Sequence, residues 1–127
     1  MKSFRDSIAW QRAMDLSTTI YAATSTFPKE EMFGLTNQLR RASVSVASNI
    51  AEGQGRLTSG EFMHFLGMAR GSALEVQTQL ELAQRLELGI PSKLEAAQIQ
   101  ATEVVRILNA VLSNLRNRPA RNRTAPN

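Results

Sequence analysis

Apolar residues recur at helical spacing in four stretches, which are separated by Pro28, by a cluster of Gly53, Gly55 and Gly60, and by Gly89 with Pro91. No stretch alternates apolar and polar residues for long enough to form a strand. The pattern predicts an all-α fold with helices near residues 7–26, 30–53, 59–88 and 92–116. Joined by short turns, amphipathic helices of this kind close as an antiparallel up-down-up-down four-helix bundle.

In the first stretch Asp6 is the expected N-cap, since a carboxylate there can accept a free backbone N–H. Trp10, Met14, Ser17, Tyr21 and Thr24 make one line, with Ala13, Leu16, Ile20, Ala23 and Phe27 beside it, and together they read as one broad buried face. Phe27-Pro28 ends it, because a residue before proline avoids the helical region. In the second stretch Leu35, Leu39, Ala42, Val46 and Ile50 form the core face. Arg40, Val44, Ala47 and Ala51 form a second line about a third of a turn away. Two readings of that line stand: further burial against another subunit, with Val44, Ala47 and Ala51 as the interface, or small residues tolerated on an exposed helix.

The third stretch opens on Thr58 or Ser59 as cap, with Thr58-Ser59-Gly60-Glu61 at capping-box spacing. Its core face is Phe62, Phe65, Leu66, Ala69, Ala73, Val76, Leu80 and Ala83. Gly67 and Gly71 each cost about 1 kcal/mol relative to alanine in a helix, and the expected return is close approach of a neighbouring backbone. The fourth stretch begins at Pro91 or Ser92. Leu94, Ala101, Leu108 and Leu115, with Ala97, Val104 and Val111, make a heptad seam.

The length, 127 residues, suits one domain: a bundle over 1–116, followed by a tail over 117–127 that has no apolar anchor and is expected to be disordered. Residues 1–115 balance 11 Lys and Arg against 11 Asp and Glu. Arg116, Arg118, Arg121 and Arg123 then supply the whole net charge of +4. The pI near 10.3 therefore belongs to the tail and not to the body. Cysteine is absent and His64 is the only histidine, which excludes disulfides, thiolate sites and two-imidazole chemistry within one chain. No apolar run approaches the roughly 18 residues of a membrane helix, and the N-terminus lacks a signal-peptide stretch, so a cytoplasmic location without membrane contact is expected.

Catalytic patterns are weak. Glu61-Phe62-Met63-His64 has the E-x-x-H form of di-iron bundles, but it occurs once, without a second histidine. Gly53-Gln54-Gly55 has neither the Walker A nor the dinucleotide-fingerprint form. No enzyme activity, metal or cofactor is expected. Polar residues near the core edge (Gln38, Ser45, Asn49, Ser72, Glu75 and Gln79) must be paired if buried, and they predict a hydrogen-bonded layer that sets helix register. Arginine suits phosphate because its fork binds two oxygens. Arg40, Arg41, Arg56, Arg116, Arg118, Arg121 and Arg123 are therefore the candidate nucleic-acid contacts, against the alternative of a solvated surface with ion pairs.

Several segments occur together in order: Trp10-Gln11-Arg12-Ala13-Met14, Phe27-Pro28-Lys29-Glu30-Glu31, Gly34-Leu35, Gln38-Leu39-Arg40-Arg41-Ala42, Asn49-Ile50-Ala51-Glu52-Gly53, Phe65-Leu66 and Ala69-Arg70-Gly71-Ser72. Over roughly residues 4–88 the chain resembles the bacterial four-helix bundle family that includes the 23S ribosomal RNA intervening-sequence proteins. The resemblance implies a four-helix bundle, a homopentamer and no established enzymatic activity. It also implies a connection to RNA, since genes of that family lie inside insertions in ribosomal RNA genes. A related protein, the accessory subunit of diversity-generating retroelements, is a basic pentamer that binds nucleic acid. The neutral body of this chain departs from that pattern. Arg40, Arg41, Asn49, Glu52 and Ser72 match the family's pattern and are taken as assembly residues first.

The function expected from the sequence is a non-enzymatic homo-oligomeric scaffold, preferably pentameric, that contacts nucleic acid, with RNA favoured. The alternative is a protein-interaction adaptor with no nucleic-acid role.

Overall fold

The structure, a computed structural model, describes residues 3–118. Four helices make up nearly all of it: α1 (Ile8–Thr24), α2 (Leu35–Gln54), α3 (Ser59–Arg85) and α4 (Pro91–Arg116), and no strand occurs among the described residues. Each helix packs against two neighbours in the cyclic order α1–α2–α3–α4, as an up-down-up-down bundle requires. One continuous core runs through it, built on Leu16, Ile20, Leu39, Val46, Ile50, Leu66, Val76, Leu80, Leu94, Val104 and Leu108.

The first helix starts later than expected. Phe4–Asp6 forms a 3-10 turn, and Ser7, not Asp6, caps α1 by accepting from the Trp10 N–H at 3.2 Å. Ser7 stands in extended backbone directly before the helix, where its hydroxyl reaches the third helical N–H. The core face of α1 is Ala9, Ala13, Leu16, Ile20 and Ala23, while Met14 and Tyr21 lie on the exposed side. The broad buried face expected from the sequence is therefore narrower: of the Trp10–Thr24 line only Thr24 is fully buried, with Trp10 partly covered.

The second helix also starts late. Lys29–Glu31 forms a separate 3-10 turn, and the Glu31 carboxylate accepts from the Leu35 N–H at 3.2 Å, closing the first turn of α2 from outside it. At the far end Gly53 lets α2 press on α3: a Cβ there would lie 3.0 Å from Phe65 Cβ and 3.3 Å from Phe62 Cδ1.

The third helix ends at Arg85, short of Leu88, in a Schellman turn. Glu87 takes a left-handed φ of 56°, Leu88 N–H donates to Ala83 O at 3.0 Å, and Glu87 N–H donates to Gln84 O at 3.1 Å. Gly89 follows with a φ of 66° and sits so close to Thr26 and Phe27 that a Cβ would fall 2.6 Å from Thr26 Oγ1. The Ile90 N–H donates to that same hydroxyl at 3.2 Å, so the α3–α4 turn is tied to the end of α1.

Gly67 and Gly71 do not meet a neighbouring backbone. Beyond the local backbone of α3, no atom of the described residues comes within 4 Å of a Cβ built at either position. They lie on the side of α3 opposite Phe62, Leu66, Ala69 and Val76, in a line with Leu74, Thr78 and Leu82 that faces outward. In α4 the expected seam is buried at Leu94, Ala97, Ala101, Val104, Leu108 and Leu115, and only at the Val111 step does the neighbouring Leu112 take the core position while Val111 is half-buried. A straight helix drifts by about 20° per heptad, which lets an adjacent residue reach the core near the end of a long helix.

Candidate nucleic-acid interface

The candidate arginines fall in three places. Arg40 and Arg41 lie side by side on α2. Arg56 follows it in the α2–α3 turn, and Arg116 and Arg118 lie at the end of α4. Arg121 and Arg123 lie outside the described residues. Asn117 and Arg118 close the last turn of α4 through backbone hydrogen bonds to Ser113 O at 3.1 Å and Leu115 O at 3.4 Å, where the sequence had suggested that disorder begins.

Local electrostatics separates these cations. Arg56 stands 3.6 Å from the Glu52 carboxylate, and its guanidinium lies 4.6 Å over the Phe65 ring, so it is occupied within its own chain. The pair is solvent-exposed and screened, and its contribution to stability is correspondingly small. Among the described residues, Arg40 and Arg41 have no carboxylate within ion-pair distance. Instead Arg40 turns toward α1. Its Nε–H donates to Thr24 Oγ1 at 2.9 Å, and its guanidinium lies 4.6 Å over the Tyr21 ring.

The result is an open depression of about 580 Å³ between α1 and α2, lined by Tyr21, Asn37, Arg40, Arg41, Val44 and Ser45. Two cations, an amide and an aromatic ring line it, and none of its lining residues among the described residues is acidic. The sequence points to both arginines but not to Tyr21, whose position on the apolar lines of α1 predicts burial. The available signal was that Arg40 lies on the Val44–Ala51 line, the side of α2 that turns toward α1.

The second line of α2 splits. Val44 is 44% exposed and Ala51 half-buried, but Ala47 is only 5% exposed within a single chain. Ala47 therefore belongs to the chain's own core and is not a surface for another subunit. The expected polar layer forms along the α2–α3 seam: Ser72 donates to Ser45 Oγ at 3.0 Å, Asn49 donates to Ser45 O and Oγ, and Gln79 donates to Gln38 Oε1 at 3.4 Å. Glu75 stays exposed outside it. His64 is exposed, with its ring edge against Phe65, and no group of three or more His, Asp or Glu side chains placed to hold a metal occurs among the described residues.

The bundle topology and the ordered sequence segments are matched by a known family. The sequence pattern described as 23S rRNA-intervening sequence protein covers residues 5–110. The chain belongs to that family. Among solved structures, a protein of unknown function from the S23 ribosomal protein family of Bacteroides thetaiotaomicron superposes with a TM-score of 0.76 at 21% identity. The match covers 83% of this chain and 98% of that one, and at this identity it shows the shared fold. No curated protein matches the chain. As in the rest of this bundle, none of the helices among the described residues is long and apolar enough to cross a membrane.

Proposed function

We propose that this member of the 23S rRNA-intervening sequence protein family is a non-enzymatic, cytoplasmic, homo-oligomeric scaffold that contacts RNA, with a pentamer as the preferred assembly. The observation that carries the reading is the Arg40–Arg41 pair: two adjacent cations without a carboxylate partner among the described residues, opening into a depression whose described lining holds no acid. The family's description, which refers to 23S rRNA, favours RNA over DNA. Self-association is supported by the outward line Gly67, Gly71, Leu74, Thr78 and Leu82, where small residues leave room for a helix of a second copy. Repetition around an oligomer would multiply weak phosphate contacts and raise avidity by roughly 10²–10⁴.

The test is RNA binding across a salt series by the full chain, by Arg40→Ala/Arg41→Ala, and by a chain with its four C-terminal arginines changed to glutamine. The full chain should bind at low salt, with a log–log slope of about −0.7 per phosphate contact on single strands. Each variant should lower both affinity and slope. Absence of binding by the full chain at low salt would hand the function to the alternative, a protein-interaction adaptor. That reading has its own support in Phe33 and Leu57, which are 93% and 86% exposed in the turns at opposite ends of α2.

A further inference from the structure

The depression between α1 and α2 contains more than cations. Tyr21 stands at its edge, 46% exposed, with the Arg40 guanidinium 4.6 Å over its ring. That guanidinium is held in place. Arg40 Nε–H donates to Thr24 Oγ1 at 2.9 Å; Thr24 is itself 2% exposed, and its hydroxyl donates to Ile20 O at 2.7 Å. The ring–guanidinium stack is thus anchored through a buried hydroxyl to the backbone of α1. The remaining guanidinium nitrogens of Arg40 make no hydrogen bond or ion pair among the described residues, and neither does Arg41. Asn37 supplies an amide with both donors and an acceptor on the same wall.

Phosphate alone would need only the cations. An ordered aromatic–guanidinium stack beside them suits a ligand that also has a planar face, because unpaired bases stack on aromatic rings and on arginine planes. In a duplex the base faces are already stacked on one another and cannot reach such a platform. We infer that this groove binds one nucleotide of single-stranded RNA, with its base stacked on the Tyr21–Arg40 pair, its phosphate held by Arg41 and its base edge within reach of the Asn37 amide. The inference rests on the RNA-scaffold reading and adds to it a location and a preference for single strands.

The experiment compares binding of a short single-stranded RNA and of its duplex by the wild-type chain, Tyr21→Phe and Tyr21→Ala at low salt. Circular dichroism establishes equal helicity, which is expected because the Tyr21 side chain is outside the core. The expected result is tighter binding of the single strand by the wild type, retention within about twofold in Tyr21→Phe, and a loss of about tenfold in Tyr21→Ala confined to the single strand. Wild-type affinity for the single strand in Tyr21→Ala overturns the inference while leaving RNA binding to the other arginines. An equal loss on single strand and duplex also overturns it, since the ring would then only seat the Arg40 charge. No RNA binding by the wild type removes both the inference and the reading beneath it.

Discussion

Ser72 on α3 donates a hydrogen bond to the hydroxyl oxygen of Ser45 on α2 at 3.0 Å, in the seam where the two longest-packed neighbours of the bundle meet. The Asn49 amide donates to the same oxygen at 3.0 Å, which uses both of its lone pairs. Helix register at this level depends on a small polar cluster as well as on apolar packing, because a shift of one residue would strand these groups.

Ser45→Ala should therefore cost more than Ser72→Ala. The first removes the acceptor of two donors, although Asn49 keeps the Ser45 carbonyl at 2.9 Å, while the second removes one donor only. Losses of about 1–2 kcal/mol and of about 1 kcal/mol or less are expected. Urea unfolding midpoints of the two variants check the order, and the reverse order would contradict it.

Gly53→Ala should destabilise the fold although alanine favours helices. The gain in propensity is about 1 kcal/mol, and forcing a methyl group between Phe65 Cβ and Phe62 costs about 1–3 kcal/mol. The new atom meets a Cβ 3.0 Å away and a backbone oxygen 3.4 Å away, neither of which swings aside freely. A net loss of about 1 kcal/mol in the same unfolding experiment is expected.

Glu87→Gly should act in the opposite direction. Glu87 holds a φ of 56° at the end of α3, a conformation that costs a side-chain-bearing residue about 1 kcal/mol or more. Glycine removes that strain and loses part of the gain to its freer unfolded chain. A rise in unfolding free energy of up to about 1 kcal/mol is expected, read as a higher thermal midpoint.

Gly71→Glu tests assembly. Beyond the local backbone of α3, no atom of the described residues lies within 4 Å of the new Cβ, so the single bundle accommodates the side chain. If copies pack through this face, light scattering should report a fall in mass with helicity retained. Ala47→Glu is the contrasting variant: it buries a charge in the chain's own core and should reduce helicity as well. An unchanged mass for Gly71→Glu would remove this face from the interface.

The amino-acid sequence by itself determined that four helices form and the main core stripes of α2 (Leu35, Leu39, Ala42, Val46, Ile50) and α3 (Phe62, Leu66, Ala69, Ala73, Val76, Leu80), because apolar spacing at 3.6 residues per turn leaves only one solution where a single stripe is continuous. It also located the charge imbalance in the last residues and the two neighbouring arginines of α2. It presented both adjacent lines of α1 as one broad buried face, and only the structure separates them, burying Ala13, Leu16, Ile20 and Ala23 and leaving Met14 and Tyr21 exposed. The outward direction of Gly67 and Gly71, the burial of Ala47 and the late start of α2 behind the Glu31 cap were likewise decided only by the tertiary structure. The same holds for the groove. Tyr21 and Thr24 belong to α1 and Arg40 to α2, and only antiparallel packing of α1 on α2 brings the ring, the buried hydroxyl and the guanidinium into one stack. Local periodicity fixes which side of a helix is apolar, but contacts between side chains distant in sequence depend on the distance and register between helices, and those are set by the whole core at once.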